Sequence, residues 1–317
     1  MHLYVVTGGA GFIGSALVRQ LLQRGERVRV VDNFLTGHRQ NLSEVAEQIE
    51  LVEADITQLE AIRPAFEGAD FVLHEAALPS VPRSVQDPIT TNRINVEGTL
   101  NVLWAARDAG VKRVVYAASS AAYGDTPTLP KVETMTPAPV SPYGVTKYVG
   151  ELYAKVFTEV YGLETVCLRY FNVFGPRQDP TSAYSGVLSQ FITALLQGER
   201  PTIYGDGEQS RDFTYVANVV QATLLACTVP DVVGKVLNIA TGERYTLNQT
   251  MAILRRILRT EIEPTYAPPR PGDILHSQAE ITLARKLLGY EPKGTFEEGL
   301  ALTVEWYRAN WERAFPS

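Results

Sequence analysis

Cysteine, histidine and long apolar runs are all scarce in this 317-residue chain. The two cysteines, Cys167 and Cys227, each sit in an apolar segment. There a thiol is more often a small buried hydrophobe than half of a disulfide or a metal ligand. Four scattered histidines offer no ligand spacing. No apolar run approaches the ~18–20 residues of a membrane span. The strand pattern starts at Leu3, which leaves no room for a secretory leader, so a cytoplasmic location is expected. Excess positive charge is lacking too: 29 Lys and Arg face 35 Asp and Glu, for a net charge of −6. Without a basic field, nucleic acid is not expected as a partner. What remains, 45% hydrophobic and 20% charged, is the balance of a soluble globular protein and excludes a disordered chain, a coiled coil or a collagen-like fibre. The length allows one large domain or two lobes sharing a core.

The first 170 residues alternate short β-rich runs with longer helical patterns, which predicts parallel βαβ units. Strands are predicted at Leu3–Thr7, Val28–Asp32, Ile49–Glu53, Phe71–His74, Val111–Ala117 and Thr165–Tyr170, and helices at Gly11–Arg24, Arg93–Ala109 and Pro142–Tyr161. Near-continuous apolar strands suit a sheet covered on both faces. From Phe171 onward Pro, Gly and Tyr become denser, and Lys235–Ala240 reads as a strand returning to the sheet. The expectation is an α/β fold: a doubly wound, mostly parallel Rossmann sheet with a smaller C-terminal substrate-binding lobe. Residues 1–170 and about 212–241 would form the nucleotide-binding domain, and about 171–211 and 242–317 the second lobe.

Leu3–Thr7 runs into Gly8-Gly9-Ala10-Gly11-Phe12-Ile13-Gly14 and then a helical pattern. Glycines at 8, 11 and 14 fit a tight turn, close approach to a pyrophosphate and close helix–sheet contact. The helix N-terminus would aim unpaired N–H groups at the phosphates. Asp32 ends the next strand, 18 residues after Gly14. A carboxylate there accepts ribose hydroxyls and repels a 2′-phosphate, which favours NAD over NADP. Asp55 sits where a third strand would end near the adenine, or serves simply as a turn or helix-cap aspartate.

Ser141-Pro142-Tyr143-Gly144-Val145-Thr146-Lys147 opens the longest helical pattern of the first lobe, with Ser141 suited to the N-cap and Pro142 to the first helical position. Tyr143 and Lys147, four apart, share one face. A phenol of pKa ~10 becomes a usable base when an ammonium and a cationic nicotinamide favour its phenolate. Upstream, Ser119 and Ser120 follow a strand, where side chains face the ligand crevice of a doubly wound sheet. The chemistry suggested is proton removal from a hydroxyl by Tyr143 while hydride leaves the same carbon for NAD.

TGGAGFIG at 7–14, Asp32-Asn33, HEAA at 74–77, Asn95, the Ser119 segment, Tyr143/Lys147 and RYFNVFGPRQDP at 169–180 together resemble the extended short-chain dehydrogenase/reductases. Within them, VPRSVQDP at 81–88, YAASSAAYGD at 116–125 and SPYGVTKY at 141–148 look most like UDP-hexose 4-epimerases, especially those acting on UDP-N-acetylglucosamine. The resemblance implies Ser119 as the catalytic hydroxyl, Tyr143 as the base and Lys147 as its partner. It extends the cofactor set to Phe12, Ile13, Asn33, Ile56, Ala76 and Ala77. Asn95 would position the cofactor or the helix carrying Tyr143, unless it merely bonds its own helix backbone. A homodimer paired through the helices near 93–109 and 142–161 is also implied.

On the substrate side the resemblance implies Asn172, Arg211 and Arg270 at the diphosphate, Tyr204 on the uracil, Asp273 at the uridine ribose, and Ser120 near the sugar. Guanidinium forks suit phosphate oxygens. Tyr204 as a core tyrosine and Asp273 as a turn aspartate remain open. Glucose-type epimerases wall the sugar with a bulky tyrosine where this chain has Ser277, and carry a lysine where it has Pro79. The smaller wall leaves space for a 2-acetamido group, a change worth about 1–3 kcal/mol in selection. Other readings are a UDP-glucose or dual-specificity epimerase, a UDP-glucuronate decarboxylase and a non-catalytic NAD-binding protein. Dehydratases need an Asp-Glu pair after the catalytic hydroxyl and decarboxylases a Glu; Ser120 and Ala121 supply neither.

Overall fold

The computed structural model describes residues 1–179, 186–269 and 274–311. Its centre is one seven-stranded sheet made of β1 (Leu3–Thr7), β2 (Arg27–Asp32), β3 (Glu50–Glu53), β4 (Phe71–His74), β5 (Arg113–Ser119), β6 (Glu164–Tyr170) and β7 (Val236–Ile239). The order is β7-β6-β5-β4-β1-β2-β3, with every neighbouring pair parallel. The order reverses between β1 and β4, so a crevice opens at the carboxyl ends of those two strands.

Alternation along each strand explains the apolar runs. Val6, Val30, Leu73 and Val115 join one hydrophobic cluster, while their neighbours Val5, Val31, Val72 and Val114 join another on the opposite face. Helices α1 (Phe12–Gln23) and α5 (Val216–Thr228) cover the first face; α2 (Gly98–Asp108) and α3 (Pro142–Tyr161) cover the second. Cys167 and Cys227 are both buried free thiols.

Two sequence expectations shift. The fifth strand runs to Ser119 instead of stopping at Ala117, because pairing with β6 continues to Ser119 opposite Tyr170. The helix predicted at Arg93–Ala109 is present, but its first turn is π-type and the regular α-helix begins at Gly98. Ser80 and Asp87 cap short helices at Val81–Gln86 and Pro88–Asn92, and a π-type turn at Arg93–Glu97 precedes α2. Ser141 caps α3 as read, its Oγ accepting from Gly144 N–H at 3.1 Å, and Gly162 closes that helix with φ near +71°.

Beyond β6 the described residues form short strand pairs. Val173–Phe174 pairs with Thr214–Tyr215, Thr202–Tyr204 with Thr265–Ala267, and Ser210–Arg211 with Tyr245–Thr246. An aromatic cluster ties them to α4 (Val187–Leu196), α6 (Leu247–Leu258) and α7 (Phe296–Ala309). Phe296 stacks on Phe213 at 5.1 Å and on Tyr245 at 4.5 Å. Among the described residues no helix is long and apolar enough to cross a membrane. On α3, Val145, Leu152, Val156 and Val160 leave an apolar stripe exposed.

Candidate active site

A cavity of about 810 Å³ follows the crevice from the Gly8–Gly14 loop to Tyr143 and Lys147. At one end the loop is a cradle with no room for side chains. Gly8 has φ of +69°, and a Cβ there would lie 2.7 Å from Ala76 N; a Cβ on Gly14 would lie 2.1 Å from Gly8 O. Helix α1 starts just beyond, with Gly11 at its N-cap and no side chain bonding its first N–H groups. That arrangement leaves donors for a phosphate. Asp32 Oδ2 accepts from Ala10 N–H at 2.9 Å and Oδ1 from Phe34 N–H at 2.8 Å, which fixes the carboxylate while leaving lone pairs toward the cavity. Burial pushes Asp32 above the usual carboxylate range, opposed by those two N–H bonds.

Asn33 Nδ2 donates to Asp55 Oδ2 at 3.0 Å, so these two residues stand together beside Ile56 on the cavity wall. Asp55 also caps its own turn, its Oδ1 accepting from Thr57 N–H and Oγ–H. Asp55 is thus a turn-capping aspartate that also lines the cavity. Phe12, Ile13, Ala76 and Ala77 line the same end.

At the other end, Ser119, Ser120, Tyr143 and Lys147 converge on the cavity. The Ser119 hydroxyl accepts from Ala121 N–H at 3.1 Å and acts on the Tyr143 phenol to favour its ionised form. Lys147 Nζ donates to Ala117 O at 2.8 Å, tying α3 to the end of β5. Burial raises the Tyr143 pKa above its usual value; Ser119 works against this and Glu75 adds to it. Burial likewise lowers Lys147, with Glu75 and Glu151 pulling it back up.

Asn95 does not line this cavity. Its Oδ1 accepts from Leu78 N–H at 2.8 Å, and its Nδ2 donates to Leu78 O and Thr146 Oγ. The bond to Thr146 ties it to the helix carrying Tyr143, one of its two expected tasks. The π-type turn places it there, a backbone irregularity often found beside functional sites. Below the cavity floor, Thr99 gives its hydroxyl proton to Asn95 O and so accepts from His74 Nε2. His74 Nδ1 then accepts from Thr7 Oγ at 2.7 Å, which fixes the tautomer. Burial pushes His74 down to about 3, so the ring is neutral.

Asn172 and Ser277 meet on the cavity wall, Asn172 Nδ2 donating to Ser277 Oγ at 3.2 Å and to Asp212 O at 3.1 Å. Asn172 itself adopts φ of +35°. Arg211 borders both the main cavity and a side recess of about 280 Å³, and Tyr204 lines that recess with Gln209, Phe213 and Leu247. Arg270 and Asp273 lie outside the described residues.

Several wall residues carried no individual assignment in the sequence reading: Glu75, Tyr170, Arg177, Gln178 and Asp179. All five lie inside the HEAA and RYFNVFGPRQDP stretches, so the signal was present but not resolved to single residues. Arg177 bonds Glu44 at 3.0 Å and Asp179 approaches His38 at 3.2 Å, linking the segment after β6 to the segment after β2.

Comparison with known proteins agrees with this geometry. The profile of the NAD dependent epimerase/dehydratase family matches residues 4–240. A putative UDP-glucose 4-epimerase of Methanocaldococcus jannaschii is 38% identical over 310 residues, covering 97% of this chain and 99% of its own length. A UDP-N-acetylglucosamine 4-epimerase from Methanobrevibacter ruminantium, solved in complex with UDP-N-acetylmuramic acid, superimposes with a TM-score of 0.93 at 40% identity, over 98% of this chain and 99% of that one. A Thermotoga maritima UDP-glucose 4-epimerase with UDP-glucose gives 0.93 at 41% identity, over 98% and 100%. The glycine cradle, the fixed Asp32 and the converging Ser119, Tyr143 and Lys147 line one cavity, and the chain is an NAD-using enzyme that belongs to the NAD-dependent epimerase/dehydratase family.

Proposed function

We propose that this enzyme is a UDP-hexose 4-epimerase and that it interconverts UDP-N-acetylglucosamine and UDP-N-acetylgalactosamine. The observation that carries the reaction class is the Ser119–Tyr143–Lys147 group at the end of a dinucleotide cavity, without a carboxylate at Ser120 or Ala121. The decarboxylase and dehydratase readings need an acid or base at those positions. Epimerases of both the glucose and the N-acetylglucosamine type are among the similar proteins, so the choice of sugar rests on the wall residue. Ser277 is small and holds its hydroxyl against Asn172, which leaves the adjoining space for an acetamido group.

Gly8, Gly11, Phe12, Ile13 and Gly14 would hold the pyrophosphate of NAD, and Asp32 and Asn33 the adenosine ribose, with Asp55 and Ile56 beside the adenine. Bound there, NAD supplies a reversible hydride acceptor at the sugar C4. Tyr143 as phenolate takes the C4 hydroxyl proton and later returns it. Ser119 holds that hydroxyl in line, and Lys147, anchored on Ala117 O, supplies the positive charge that favours the phenolate. Inversion requires the 4-keto sugar to turn while UDP stays fixed. Asn172, Arg211 and Tyr204 would provide the fixed grip. A pocket that binds the diphosphate firmly and the sugar loosely meets both demands.

The purified protein, with no NAD added, should convert UDP-N-acetylglucosamine to its galacto epimer, with the C4 configuration followed by NMR. No inversion of this sugar or of UDP-glucose, even after NAD is supplied, would overturn the assignment. The exposed Val145, Leu152, Val156 and Val160 stripe supports pairing of α3 with a second copy. Sedimentation at twice the chain mass is expected, with a monomer for Val156→Glu.

A further inference from the structure

Glu75 lies on the cavity wall yet has no part in the chemistry above, and its contacts constrain its proton. Tyr170 Oη is 2.9 Å from Glu75 Oε1 and 2.8 Å from Thr223 Oγ1; Thr223 Oγ1 is 2.9 Å from Val219 O. Three contacts need three hydrogens. The two hydroxyls supply two, and a carbonyl and a carboxylate supply none. The third is present only when Glu75 is a carboxylic acid. It then donates to Tyr170, Tyr170 to Thr223, and Thr223 to Val219 O. When Glu75 is ionised, Tyr170 turns its proton to the carboxylate, Thr223 turns its proton to Tyr170, and the side-chain contact to Val219 O is given up. Tyr170 and Thr223 are buried, so solvent does not replace the lost partner. The chain has two hydrogen-bond registers, and they correspond to two protonation states of one side chain.

The charged surroundings are few among the described residues. Lys147 on α3 favours the carboxylate, and Tyr143 on the same helix feels its negative charge. Tyr170 faces it from β6 and uncharged Thr223 from α5. His74, the preceding residue, is locked neutral between Thr7 and Thr99. Glu151 acts on Lys147 but is itself held in a buried pair with Arg169. Burial raises Glu75 toward neutrality, to about 7, which agrees with the hydrogen count.

We propose that Glu75 is a positioning residue for proton transfer. As a neutral acid it completes the Tyr170–Thr223 chain and presents no negative charge to Tyr143. Once ionised, it holds Tyr143 in the phenol form and blunts the rise of activity with pH. This rests on the epimerase reading, because Tyr143 must be the base.

Glu75→Gln keeps a donor toward Tyr170 and cannot ionise. Between pH ~6 and ~8.5, its epimerisation rate should rise more steeply than that of wild type, by up to about tenfold in the ratio of the two rates. Superimposable pH profiles would overturn the proposal. A second readout needs no turnover. The infrared pH-difference spectrum of the purified wild type should contain a protonated-carboxyl stretch that disappears through neutrality and is absent from Glu75→Gln. If that variant fails to fold, Tyr170→Phe removes the donor to the carboxylate and should move the disappearance to higher pH. Absence of the band from wild type overturns the proposal even if the enzyme turns over. A wild type that epimerises no UDP-hexose defeats the epimerase reading, and the infrared result still decides the proton on Glu75.

Discussion

The two ends of the cavity are made of different material. The cofactor end is built on the carboxyl ends of a seven-stranded parallel sheet, with glycines packed to within a Cβ of their neighbours and with Asp32 and Lys147 tied to backbone. The substrate end is built from two- and three-residue strand pairs, Val173–Phe174, Thr202–Tyr204 and Ser210–Arg211, fastened to an aromatic cluster. The contrast suits the reaction. Hydride must leave and return along a fixed line, which a rigid sheet can hold. The sugar must present first one face and then the other, which a wall of short elements can tolerate.

Tyr143→Phe tests the point where the two ends meet, and should have the largest effect. Epimerisation should fall by about 10²–10⁴-fold with NAD retention unchanged. Activity equal to wild type would remove Tyr143 from its role. Gly14→Ala breaks the cofactor end alone. Its Cβ would collide with Gly8 O, so the variant should lose NAD on purification and recover partly when NAD is added in excess. A variant that keeps its NAD would show that the loop is softer than its packing implies. Ser277→Tyr perturbs only the sugar wall. It should cost UDP-N-acetylglucosamine turnover about 10–200-fold relative to UDP-glucose. Equal losses on both sugars would show that the wall does not read the acetamido group.

The cofactor end was also the more legible in sequence. A glycine loop between strand and helix, an aspartate closing the next strand, and a Tyr and Lys one turn apart behind a Ser-Pro cap are local patterns. Spacing along the chain is enough to place them. What spacing could not give depended on register. Ser119 became the last residue of β5 only because β6 pairs that far. Asn95 took its task from a π-type turn that periodicity reads as plain helix. The Glu75–Tyr170–Thr223 chain joins residues 95 and 53 positions apart, and no single motif contains all three. At the substrate end, Asn172, Tyr204, Arg211 and Ser277 came from family resemblance and not from any local pattern, since isolated polar residues on loops carry little periodic signal. Arg270 and Asp273 fall outside the described residues.

The strand order also has a consequence for biosynthesis. β6 ends at Tyr170, but the strand that covers its outer edge is Val236–Ile239, more than sixty residues later. As the chain leaves the ribosome, six strands can assemble while β6 still presents a row of unpaired backbone groups. Such an edge is a template for pairing with other chains. Arg113, whose guanidinium bonds the carbonyls of Ala226 and Val229, waits for the same late segment. Until residues 236–239 are made, β6 lacks its outer neighbour, and a chain truncated within that interval carries a six-stranded sheet with β6 at its edge.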